Sequence, residues 1–445
     1  MIQTFVNAWK VQELRKKILF TLMILLLYRI GANLFIPYVS VDAISGDLSN
    51  LMTNGIFGLI SMMSGGAFSR ATFFALGVSP YITASIVIQL LSIAIPALER
   101  LSKDEDGKKK LSAATRWVTV VLAIITAYGY VNIISRDKLL TVTSEDKHYV
   151  LAWFVMIACL CAGASMIMWL AEKINEHGIG NGISMILFAN IISGMTNYVL
   201  GTFGMLTTYS GNLKTGWDLV LGILGFILSI ALTLGAIVLI VWFTNSERRI
   251  KVIYAKKVVG RKTYGGQKTN LPLKMNMAGV MPVIFASSIV SIPATIAGFL
   301  PEGTRFKEFL DHWLGVNTPI YIFVFIALTV AFSYFYIAIS FNPVEVANNI
   351  RSNGGAIIGI RPQEMAPFIK KILNRVTLMG AIFLVIIAGV PMIFSAVASL
   401  IPGGSSFTSV AFTGTSLLIA VGVALETVRD LEAQLSMRNY KGFLD

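Results

Sequence analysis

The side chains that carry out covalent chemistry are few in this chain, and they do not converge. The three histidines, His148, His177 and His312, are far apart in sequence and fall in segments that read as loops. No serine, histidine and acid cluster is present, nor an HExxH pair, nor a glycine-rich phosphate loop. Cys159 and Cys161 are the only cysteines. Two residues apart in an apolar stretch, they suit packing rather than a disulfide framework or a metal set. Asp and Glu are almost absent from the apolar stretches, so the buried carboxylates that couple transport to protons or sodium are missing. The expectation is a chain with no catalytic residues, no metal and no cofactor.

Two other patterns are more informative. In FALGVSPYITASIVIQLL, Val78, Ile82, Ser85 and Gln89 recur at three- and four-residue spacing and share one helix face. The face is aliphatic at one end and polar at the other. That suits helix packing first, with Gln89 bonded to a neighbour; the functional reading is a channel lining whose apolar constriction excludes water. The second pattern is RRIKVIYAKKVVGRKTYGGQ, where basic residues alternate with apolar and aromatic ones as in a projecting hairpin. Residues 244–275 hold nine Lys and Arg against the single acid Glu247. Residues 342–375 hold Arg351, Arg361, Lys370, Lys371 and Arg375 against Glu345 and Glu364. Orientation in a membrane and anionic lipid account for part of this charge. The remainder suits RNA phosphate or an acidic protein surface.

The elements that must hold these patterns are membrane spans. Mean hydropathy is +0.73 and only 13% of residues are charged. A hydrocarbon layer about 30 Å thick takes roughly 20 apolar residues as helix. Ten stretches fit: 17–36, 73–96, 117–135, 150–171, 183–201, 218–243, 277–299, 319–341, 376–395 and 411–425. The first resembles a signal peptide in its flanking Lys10, Arg15, Lys16 and Lys17, but it is too long and nine more spans follow. The Lys and Arg bias puts both termini in the cytoplasm. Pro80, Pro282, Pro293 and Pro391 lie within spans as candidate kinks. Glu99 to Leu111 reads as a charged mobile loop, and Glu172 to Ser184 as a tight glycine-rich one. Five spans on either side of residues 202–217 allow an inverted repeat with a functional interface near the midplane. One apolar segment, GIFGLISMMS (Gly55 to Ser64), is too short to span and is framed by glycines, so it sits inside the bundle or at its surface.

GVSPYITASIVIQLL, WLAEKINEHGIGNGIS, NMAGVMPVIFASSIV and GIRPQE closely resemble the SecY family, the central subunits of bacterial protein-conducting channels. The resemblance runs from LRKKILFTLMILLLYRIGANLFIP to the closing RNYKGFL. It implies an all-α integral membrane protein with ten transmembrane helices in two five-helix inverted-repeat halves around a central pore. The halves would be residues 1–201 and 218–425, with an external hinge loop at 202–217 and a cytoplasmic tail at 426–445. A ring of aliphatic side chains would form the waist: Val78, Ile82, Leu187, Ile284 and Ile419. The family's ring is usually isoleucine, so Val78 and Leu187 depart from it. Gly55, Ile56, Phe57, Gly58, Leu59, Ile60, Ser61, Met62, Met63 and Ser64 would form a short re-entrant plug. Thr83, Gln89, Asn276 and Ile292 would lie at a lateral gate between spans two and seven. Arg248, Arg249, Arg261, Lys262 and Arg361 would dock partners.

The resemblance further implies a multi-pass protein of the bacterial cytoplasmic membrane. It would pass unfolded secretory polypeptides and release transmembrane segments sideways into membrane lipid, without being an enzyme. Its partners would be small SecE- and SecG-like subunits, the SecA ATPase, the ribosome with its rRNA, and signal peptides and nascent chains. Two other readings stay open: an accessory SecY paralogue for surface adhesins, and an inverted-repeat secondary transporter of small solutes.

Overall fold

The computed structural model of this chain describes residues 2–40, 61, 64–136, 140–141, 148–195, 216–254, 256–259, 262–265, 268–299, 304–314, 318–398 and 408–441. It is largely helical. The first part contains α1 (Ile2–Lys10), α2 (Gln12–Gly31), α3 (Ser79–Ala94), α4 (Pro96–Lys103), α5 (Glu105–Arg136), α6 (Tyr149–His177) and α7 (Gly182–Met195). The second contains α8 (Gly216–Asn245), α9 (Met281–Phe299), α10 (Arg305–Leu314), α11 (Pro319–Ser340), α12 (Pro343–Ser352), α13 (Met365–Ala398) and α14 (Thr408–Lys441). Between α8 and α9 run strands β1 (Glu247–Tyr254), β2 (Lys256–Val259), β3 (Lys262–Gly265) and β4 (Lys268–Lys274); β5 (Gly355–Ile357) follows α12.

Each of the ten expected spans contains a helix. Among the described residues four helices are by themselves long and apolar enough to cross a membrane, in the regions of α5, α6, α11 and α13. The surface agrees with lipid contact. Phe154 on α6, Trp242 on α8 and Phe323 on α11 are each more than 70% exposed, which large apolar side chains avoid when water is the only solvent.

The helices pack in two groups. In one, α2 packs on α6, α6 on α5 and α5 on α3; in the other, α9, α11, α13 and α14 pack in succession and α8 joins α14. The groups meet where α9 packs on α3 and α5. The largest buried cluster lies across this junction, drawing Tyr28, Phe74 and Ile186 from one group and Phe325, Leu384 and Leu417 from the other. A second core, around Tyr130, Met156 and Leu160, belongs to the first group alone.

Several expectations are corrected. The second span begins at Ser79 rather than near 73, because the backbone before it is engaged elsewhere. The Phe73 amide donates to the Leu34 carbonyl at 2.7 Å, and the Ile36 amide to Ala71 at 3.0 Å. Pro80 therefore sits in the first turn of α3, where its missing amide costs no helix hydrogen bond, and it is not a kink. Pro282 likewise opens α9, whereas Pro293 and Pro391 do lie inside helices. Glu99 to Leu111 is helical, shared between α4 and the start of α5, with a sharp bend of 111° at Ile95–Pro96 separating α4 from α3. His177 is the last residue of α6 and His312 lies in α10, so neither is in a loop. The segment after residue 425 continues α14 as helix to Lys441. The expected hinge loop at 202–217 falls almost wholly outside the described residues.

Candidate functional site

The five aliphatic residues expected to form the waist come from four helices and all fall in one buried cluster. Val78 caps α3, Ile82 lies one turn in, Leu187 is on α7, Ile284 opens α9 and Ile419 is on α14. All five belong to the cluster at the junction, with exposures of 2–6%.

Local chemistry explains how each is held. Gly77 takes a φ of +57°, and a Cβ there would lie 3.4 Å from the Ser64 side chain, so the approach to Val78 needs glycine. The Val78 carbonyl then accepts the first bond of α3 from the Ile82 amide at 3.0 Å. The entry to α7 is set by asparagines. Asn181 Oδ1 accepts from the Ile183 amide at 3.1 Å, and Asn175 Oδ1 from the Gly182 amide at 2.7 Å. Gly180, at φ +74°, donates to Asp430 on α14. This is the physical content of the INEHGIGNGIS motif: the turn that positions Leu187 is tied to the helix that carries Ile419. At that same α6–α7 corner, the hydrogen bond and charge of Lys173 hold the Glu176 carboxyl below its ordinary range. At Gly422 a side chain would collide with Val280, so glycine lets α14 reach the start of α9, where Ile284 sits.

The short apolar segment falls mostly outside the described residues: Gly55, Ile56, Phe57, Gly58, Leu59, Ile60, Met62 and Met63 do. Its end is described. Ser61 and Ser64 are buried, and Ser64 Oγ donates to the Ser61 carbonyl at 2.9 Å while accepting from the Phe68 amide at 3.0 Å. Gly65 and Gly66 follow at φ +65° and +80°. A Cβ on Gly65 would lie 2.9 Å from both Arg29 Nη1 and Asn190 Oδ1.

A cavity of about 260 Å³ opens between α3, α5 and α9. Thr83 and Ile292 line it, together with Ser288, Ser291 and, from α5, Leu122 and Tyr130. Gln89 is exposed and lies outside it. Asn276 lines a different cavity, of about 370 Å³, with Lys274, Glu426, Arg429 and Asp430. So the structure brings two of the four expected gate residues together and not the other two. The contribution of α5 carries no signal in the sequence, because an apolar residue facing a cavity looks like one facing lipid. In the second cavity, burial and Arg429 push the Lys274 ammonium down, while burial and Asp430 push the Glu426 carboxyl up. Arg429 also donates to the Thr244 carbonyl and to Asn245 Oδ1, both at 2.8 Å, and so caps the end of α8.

The basic loops form a three-stranded sheet, in the order β4-β1-β5 with β1 central and all pairs antiparallel, and a separate two-stranded ribbon of β2 and β3. Pro272, which has no amide to donate, is confined to the edge strand β4. Ile250 and Val252 face inward onto Ile350, Ile357, Met365 and Ile369. Arg248 and Arg249 are both exposed, but as neighbours on a strand they face opposite sides. Arg249 is paired with Glu247 at 2.6 Å. Lys262 pairs through its backbone with Val259 in the two-stranded ribbon of β2 and β3, and Arg261 lies outside the described residues. Arg361 is exposed at the head of a single 3-10 turn, Pro362–Glu364. Its carbonyl accepts from the Glu364 amide at 2.9 Å, and Arg351 donates to the Pro362 carbonyl at 2.6 Å. The brace by Arg351 was not foreseen from the sequence.

Comparison with known proteins places these features in context. Residues 72–428 match the family model described as SecY. The chain is 41% identical, over its whole length and that of its relative, to the "Protein translocase subunit SecY" of Streptomyces galbus. It is 38% identical to the protein of the same description from Thermus thermophilus, over all of this chain and 98% of that one. Among solved structures, "The structure of a protein conducting channel" superposes with a TM-score of 0.62 at 17% identity, covering 94% of this chain and 92% of that one. "Sec61 in the Canine ribosome-channel complex from the endoplasmic reticulum" gives the same values.

Proposed function

The chain belongs to the SecY family, a family of channel subunits in the membrane, and from that premise we propose how this molecule moves polypeptide. It is a multi-pass membrane protein that acts as a protein translocase subunit. The observation that supports the mechanism is that Val78, Ile82, Leu187, Ile284 and Ile419 all belong to the buried cluster that lies across the two helix groups. Such a waist holds little water when empty, which blocks ions. It also grips a peptide without preference for sequence, because aliphatic contact is non-directional. A chain crosses when the groups part, and Gly55 to Ser64 supplies a second seal. An apolar segment leaves between α3 and α9 through the Thr83–Ile292 cavity. Lipid solvates it better than water, by roughly 0.3 to 0.6 kcal/mol for each central Leu, Ile, Phe or Val. The chain itself does no covalent chemistry; energy comes from the translating ribosome or the SecA motor.

These partners dock on the sheet and the Arg361 turn, at the cytoplasmic face of a bacterial cytoplasmic membrane, with both termini on that side. SecE- and SecG-like subunits complete the complex. The aliphatic waist and the sparsity of acids in the spans favour this reading over a coupled small-solute transporter. Reconstituted vesicles test it: with SecA and ATP, a secretory precursor should become protected from added protease. Solute uptake without precursor protection would refute the reading.

A further inference from the structure

Helix α10 takes no part in the waist, the gate cavity or the sheet. Its sequence, RFKEFLDHWL, sets Phe306, Phe309 and Trp313 at i, i+3 and i+7, on one face. All three are exposed, by 53%, 56% and 46%, while neighbouring Leu310 is buried at 7%. The helix is thus pinned to the protein by Leu310 and turns its aromatic rings outward. The Phe309 and Trp313 rings lie 6.3 Å apart. Glu308 is exposed on the other side of the helix, whereas the His312 ring stands edge-on to Trp313 at 5.7 Å.

What covers this face follows from where the helix lies. It packs on both α9 and α11, at the end of α9 away from the sheet. The 19 residues of α9 and the 22 of α11 span about 28 and 33 Å at about 1.5 Å each, close to the hydrocarbon thickness of about 30 Å. Both helices therefore leave the hydrocarbon at the level of α10. Beside it α11 carries the exposed apolar side chains Ile320 and Phe323. Phe and Trp on an amphipathic helix are suited to the headgroup–acyl boundary. We propose that α10 is an interfacial lipid-binding helix whose Phe306, Phe309 and Trp313 enter that boundary, fixing the depth of the adjoining ends of α9 and α11. The inference rests on the membrane placement of the spans.

The test is a fluorescence depth scan of the full chain in liposomes. In a Cys159→Ala/Cys161→Ala background, single variants Glu308→Cys, Phe309→Cys, Trp313→Cys and Phe323→Cys are labelled with an environment-sensitive dye. Labels at 309 and 313 should be quenched several-fold more by phospholipid with a nitroxide near the headgroup than the label at 308, which should respond to aqueous iodide. The label at 323 should respond to a deeper nitroxide. Labels at 309 and 313 that respond to iodide as 308 does would overturn the proposal. So would labels shielded from both quenchers, which would mean that protein covers the face. If 323 still reports lipid, the proposal alone has failed; if 323 reports water, the membrane placement has failed as well.

Discussion

Replacing Ile82 with Asn should destabilise the closed channel far more than the open one. Ile82 is 4% exposed, in the cluster that joins the two helix groups. In the closed state the new amide has no water, and burying it without a partner costs about 1–3 kcal/mol in protein mutants. In the open state the same position faces water and the moving chain, so the amide cost disappears. A differential of about 2 kcal/mol multiplies the open-to-closed ratio roughly thirty-fold. Conductance in planar bilayers reads this directly, as more frequent opening in the absence of substrate. Translocation into vesicles reads it indirectly, as export of precursors with defective signal sequences. Ile82→Leu, which keeps an aliphatic side chain, should show neither effect. If Ile82→Asn assembles normally and leaves both conductance and signal selectivity unchanged, the side chain does not line the closed waist.

Other perturbations separate the parts of the account. Deleting residues 55–64 should leave an assembled channel that transports but leaks in brief openings; loss of membrane insertion would make the segment structural. Arg361→Lys should already slow SecA-driven translocation and Arg361→Glu nearly stop it, with the sealed state intact, because a lysine cannot reproduce a bidentate guanidinium contact. Wild-type rates for Arg361→Lys, measured as precursor uptake into vesicles, would reduce its role to charge alone. Arg429→Met removes two charge-assisted bonds from the end of α8, each worth about 1.5–3 kcal/mol. The melting temperature in detergent should fall by several degrees, and Arg429→Lys should fall less; no change in either would mean that water replaces the cap.

Spans and loops were legible because hydropathy and charge vary along the sequence on the length scale of a helix. The sheet was half legible. Alternation in RRIKVIY signalled a hairpin, but nothing local showed that residues 355–357 would add a third strand to β1. The start of α3 was misread because Phe73 to Val78 is as apolar as a span. What removes it from the helix is a long-range bond to Leu34, which periodicity does not record. The waist residues were assigned by resemblance, and the structure adds that they share one buried cluster. Of the gate residues, Thr83 and Ile292 share a cavity while Asn276 lines another, since spacing along one helix cannot tell which neighbour it meets. In the sequence Arg351 is one basic residue among several in its loop, and nothing singles out Arg429. Their bonds to the Pro362 and Thr244 carbonyls depend on tertiary placement alone.

The claim at the centre is that polypeptide crosses between the two helix groups, through the aliphatic waist. Site-specific photocrosslinking tests it most directly. A photoreactive residue is placed at Ile82, Ile284 or Ile419, and at lipid-facing Phe154 as the contrast, and a precursor is stalled partway across. The account predicts strong crosslinks to the stalled chain from the three waist positions and none from Phe154. A stalled, protease-protected chain that crosslinks to none of the three would contradict it.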